Sequence, residues 1–244
     1  MHKKSLNFKT TLTAAVVLVL IVITVLLSGY MGDRNYYIAG VIIIMLTLIP
    51  FFVRFEGKKP QPREMVTIAV MTAIAVVSRI AFIMVPAFKP MLGIVMITGV
   101  ALGPMAGFMT GCFGAFVSNF VFGQGPWTPW QMLAFGLAGF IAALLARGGV
   151  MKFDTWKRSL LSAIIGGVMI LIIIGPLLDT CTFFIASSGM SGTSAAAVYL
   201  AGVPVNAVHG LCVALTLLLA GKPIKDKLDR IRVKYGIMED EEHS

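Results

Sequence analysis

The chain has 244 residues, of which 58% are hydrophobic and only 13% charged, and its mean hydropathy is +0.91. So much apolar surface exceeds what one water-soluble core of this length can bury, which excludes a soluble globular domain and places the chain in a bilayer. The formal charge of +9 would suit a nucleic-acid binder, but the positions of the cations assign it to membrane orientation instead.

A span needs about 20 mostly apolar residues to cross roughly 30 Å of hydrocarbon, and a helix satisfies its own backbone without water. On that rule the sequence predicts an all-α integral membrane protein with helices at about 10–28, 37–54, 63–84, 90–102, 104–122, 128–147, 159–186 and 198–220. The first run follows Lys3, Lys4 and Lys9 in the manner of a signal peptide. It is about 18 residues long and no small-residue cleavage site follows, so it is read as a true span. The segment RFEGKKPQPRE, 54–64, holds two prolines and several charges. It separates an additional amino-terminal hairpin, 1–57, from a six-helix core, 58–235; an acidic tail, 236–244, is expected to be solvated and disordered.

With both termini cytoplasmic, 17 of the 20 Lys and Arg residues fall on one side, in groups that begin at Lys3, Arg54, Arg147 and Lys222. Arg34, Arg79 and Lys89 fall on the other. Eight spans explain that skew and seven would scramble it, which predicts a multi-pass protein of the cell membrane.

No G-x-x-x-x-G-K-[ST] loop is present, so the chain does not hydrolyse ATP by that route. Ionisable groups inside predicted spans reduce to Arg79, Asp179 and His209, too few for a proton relay or a membrane enzyme. No metal-ligand spacing and no cofactor signature emerges. Cys112, Cys181 and Cys212 lack C-x-x-C spacing and read as small apolar fillers.

In GVALGPMAGFMTG, 99–111, glycine recurs every fourth residue, but Pro104 predicts a helix break at Gly103-Pro104 and confines the packing strip to Gly107, Gly111 and Ala115. Earlier, Ala69 and Ala73 lie one turn apart on one helix face, a pattern that serves either ordinary packing or a partner. Arg79 either snorkels to headgroups or joins Lys89 in giving the outer vestibule a positive field. The decapeptide GQGPWTPWQM, 123–132, joins two spans on the same side. Trp127 and Trp130 suit an interfacial belt, yet a belt does not require Gly123, Gly125, Pro126 and Pro129 around them. A rigid loop with two indoles, Gln124, Gln131 and the preceding Asn119, and with Thr128 able to cap a helix from Pro129, also suits the rim of a small-molecule site. Asn206 and His209 share a face of the last span, for helix-helix bonding or for a ligand.

These residues carry a resemblance. The core resembles the substrate-binding S component of energy-coupling-factor (ECF) vitamin transporters, in the Ala69-x-x-x-Ala73 pair, GPMAGF at 103–108, the loop at 123–132, and NAVHG leading to LLAGKPIKDKLDRI. The resemblance implies a vitamin bound on the extracellular side, and a partner assembly of one transmembrane coupling subunit and two ATP-binding-cassette ATPases that meets Ala69 and Ala73. It also implies cobalamin or a precursor as the leading substrate, and leaves the first two helices as additions. Arg79, Lys89, Asn119, Gln124, Trp127, Trp130, Gln131, Asn206 and His209 are the candidate ligand residues by position. A secondary transporter working alone and a membrane assembly protein are the competing readings.

Overall fold

The computed structural model describes residues 61–187 and 195–236, with isolated positions between 20 and 53. The expected amino-terminal hairpin, apart from those positions, and the tail beyond Gly236 lie outside the described residues. Among the described residues, five helices are long and apolar enough to cross a membrane, and a shorter apolar helix accompanies them.

Helix α1 (Pro62–Ala81) starts with Pro62, where a missing N–H costs nothing, and the Gln61 N–H is taken by Glu64 Oε2 at 3.1 Å. Then come α2 (Met91–Leu102), α3 (Pro104–Phe122), α4 (Trp127–Arg147), α5 (Trp156–Met169), a π turn (Ile170–Ile174), α6 (Gly175–Ser187) and α7 (Ala195–Tyr235). Helix α5, the π turn and α6 run on as one rod, so these seven helices make the six rods expected of the core. The expected boundaries lie within about one turn of the observed ones, except at the last helix. Its apolar stretch ends near residue 220, but α7 continues through Pro223 to Tyr235, so the lysines and arginines from Lys222 to Lys234 lie on the same helix.

Helix α2 is apolar on every side and eleven of its twelve residues are buried, which makes it the central rod. At about 1.5 Å per residue it is roughly 18 Å long, well short of a bilayer. It ends where Gly103 takes φ 97°, a conformation that suits glycine, and donates its N–H to Gly99 O at 2.9 Å; Pro104 then opens α3. The predicted break is therefore present. Gly99 still belongs to the packing strip across that break, together with Gly107 and Gly139 of α4. A Cβ on Gly107 would stand 2.7 Å from both Gly139 O and Gly99 Cα, so three backbones meet where side chains would hold them apart.

Among the described residues, eleven of the thirteen Lys and Arg lie at one end of the bundle: Arg63, Arg147, Lys152, Lys157, Arg158, and the six on α7 from Lys222 to Lys234. Arg79 and Lys89 lie toward the other end. At the cation-rich end the α2–α3 turn floors a hollow of about 820 Å³, walled by Arg147, Lys152, Asp154, Lys225 and Arg232. On α1, Ala69 and Ala73 are both exposed, and Met65, Val66, Val70, Ile74 and Val77 continue that apolar face.

Candidate functional site

At the end opposite the cations, the 123–132 stretch folds mostly onto itself. The Trp127 Nε1–H donates to Gly123 O at 3.2 Å, and its indole lies so close over Gly125 that a Cβ there would meet the ring at 2.5 Å. Gly123 itself takes φ 98°. Helix α4 begins at Trp127, not beyond Thr128, and the Thr128 hydroxyl reaches backward: Gly125 N–H donates to it at 3.2 Å and it donates to Gln124 Oε1 at 2.9 Å. Gln124 Nε2 in turn donates to Phe116 O at 2.9 Å, which ties the loop to α3.

Asn119, fully buried on α3, joins the loop to α1. Arg79 donates to Asn119 Oδ1 at 3.0 Å and to the Ser118 hydroxyl, while Asn119 Nδ2 donates to Thr128 Oγ1 at 3.0 Å and to Gln131 Oε1 at 2.8 Å. The Arg79 guanidinium stands 4.3 Å from the Phe122 ring centroid and 5.7 Å from that of Phe135. A buried cation is tolerated here because two oxygens and two aromatic faces replace its water. Lys89 donates to the carbonyls of Phe82, Ile83 and Val85, so its ammonium holds its own loop together. Loss of water, and after it the charge of Arg79, hold that ammonium below the usual lysine range.

Beside this network lies a pocket of about 360 Å³, lined by Trp127, Gln131, Leu178, Cys181, Thr182 and Ile185. Its α6 wall is held to α7 by Asn206 Nδ2, which donates to Asp179 Oδ2 at 2.7 Å, and by the Thr180 and Tyr199 hydroxyls at 2.8 Å. The Asn206 side chain fills the space that a side chain at Gly175 would need, directly after the π turn.

A family model described as ECF-type riboflavin transporter, S component, matches residues 59–226, more than two thirds of the chain. The chain belongs to this family. No curated protein and no solved structure matches it. S components bind a vitamin and associate with an energising module, and they are transport subunits, not enzymes. The match supports no narrower assignment to cobalamin.

In this S component the candidate residues other than Lys89, whose ammonium is taken by its own loop, fall into three groups. Asn119 bonds Arg79 and Gln131 directly and reaches Gln124 through Thr128, and Trp127 and Gln131 face the pocket. His209 is half-buried on α7, one turn beyond Asn206. Trp130 and Asn206 are turned elsewhere: Trp130 is buried with its ring 5.8 Å from Phe184, and Asn206 faces Asp179. Sequence reasoning left out Ser118, Phe122 and Phe135, which hold Arg79, and the α6 wall. Leu178, Cys181, Thr182 and Ile185 share one helix face, a spacing that any span shows.

Proposed function

We propose that this S component captures riboflavin in the pocket between the start of α4 and α6, and that this end of the bundle is extracellular. The observation that carries the reading is the juxtaposition of the Trp127 indole with the Gln131 amide against the apolar face of α6, in a chain whose family description names riboflavin. A flat heteroaromatic ring wants an aromatic or aliphatic wall on its face and a few oriented polar groups at its edge. A volume of about 360 Å³ lies near the lower end of the roughly 300–1,000 Å³ of small-molecule sites, and a corrinoid is far too large for it. The hollow at the cation-rich end is bigger, but two of its carboxylates are already paired, Asp229 with Lys225 at 2.5 Å and Asp154 with Arg158 at 2.6 Å. Positive charge on that end supports its cytoplasmic orientation.

The partner reading is a transmembrane coupling subunit with two ATP-binding-cassette ATPases, docking on the exposed apolar face of α1. Ala69 and Ala73 leave that face shallow enough for a second helix to approach closely. The test is a titration of the purified protein with riboflavin, read by quenching of flavin fluorescence, with cobalamin as the comparison ligand. Saturable riboflavin binding is expected; its absence, or tighter binding of cobalamin, sinks the assignment. Trp127→Ala is expected to weaken riboflavin binding by about tenfold or more, as loss of a central aromatic anchor does. Ala69→Trp and Ala73→Trp are expected to abolish copurification with the coupling module while riboflavin affinity stays unchanged.

A further inference from the structure

The hydrogen bonds around Asn119 have a direction, and it is set from Arg79. A guanidinium has donors only, so the Asn119 atom 3.0 Å from Arg79 must be the oxygen. The Asn119 nitrogen then points the other way, toward Thr128 and Gln131. The Gln131 atom 2.8 Å from that nitrogen must therefore be an acceptor, its oxygen. What remains of Gln131 is its NH₂ group, which makes no hydrogen bond among the described residues, on a side chain that lines the 360 Å³ pocket.

We propose that Gln131 is a specificity-determining residue that presents a hydrogen-bond donor to the ligand, oriented through Asn119 by the buried Arg79. The complementary ligand group is an acceptor, a carbonyl oxygen or an unprotonated ring nitrogen, on the edge of a ring system whose face meets Trp127. Arg79 and Asn119 are positioning residues and touch no ligand. This inference rests on the pocket reading given above.

Gln131→Glu keeps the oxygen that Asn119 uses and replaces the donor by an acceptor, so riboflavin affinity is expected to fall by about tenfold or more with the unfolding temperature little changed. Asn119→Asp reverses the relay without touching the pocket. Arg79 keeps its acceptor, while Gln131 has to rotate and donate to the new carboxylate, which turns its carbonyl toward the ligand and lowers affinity to a similar degree. Gln131→Met replaces the acid variant if that does not fold, with the same loss expected. Wild-type affinity in Gln131→Glu alongside weakened binding in Trp127→Ala overturns the donor assignment and leaves the pocket standing. A loss in Gln131→Glu with wild-type affinity in Asn119→Asp overturns the relay. Unchanged binding in all of these variants, Trp127→Ala included, means that the vitamin lies elsewhere and the pocket reading itself fails.

Discussion

Gly139→Ala is expected to lower the unfolding temperature of the purified protein by about 6–12 °C, corresponding to roughly 3 kcal/mol for a chain of this size. The cause is the position of the Cβ itself. On Gly139 it would stand 2.6 Å from the carbonyl carbon of Gly107 and 2.9 Å from its Cα, and these are backbone atoms of a packed helix that no rotamer change removes. Helices α3 and α4 must separate, and the seam with Gly99 and Gly111 opens with them. Gly114→Ala is the control on α3. Its Cβ would meet only the Met91 Cε at 2.6 Å, the free end of a flexible side chain. The gain in helix propensity, about 1 kcal/mol, should then leave that variant as stable as the parent or slightly more so. Thermal unfolding of the two variants in detergent decides the matter: equal losses, or none in Gly139→Ala, would show that the glycine seam is not a close contact.

Asn119→Leu is expected to be nearly as damaging, for an electrostatic reason. The substitution keeps the branching at Cγ but removes one of the two acceptors of a buried guanidinium, together with the donor that Thr128 and Gln131 receive. An ionic hydrogen bond broken in a buried site, with the charge left behind, costs about 3 kcal/mol. The diagnostic is the double variant Arg79→Met/Asn119→Leu. With the orphaned charge gone, its unfolding temperature should lie above that of Asn119→Leu alone. A double variant that is less stable than either single one would show that Arg79 does not depend on Asn119 for its place in the fold.

Much of the architecture is legible along the chain because a bilayer allows so few backbone solutions. The six rods of the core, the break at Gly103-Pro104 and the crowding of cations at one end all follow from apolar run length, proline geometry and charge position. The loop at 123–132 is likewise recognisable, since its glycines and prolines serve no belt function. The extent of α7 is less so, because Pro223 argues for a stop at the end of the apolar run, which the helix overrides by giving up a single backbone bond.

The site divides along the same line. Sequence alone determined which polar groups are too costly to face lipid, and so that Asn206 and His209 share a face that turns inward, while it left Arg79 free either to snorkel or to face the vestibule. It contains nothing that says which of them find one another. Arg79 meets Asn119 across 40 positions and Asp179 meets Asn206 across 27, and whether a side chain ends in a pocket or in a neighbour's hydrogen bond depends on how the rods rotate about their axes. That rotation is decided by the close approach of glycine-lined backbones, a property of pairs of helices that no single helix carries.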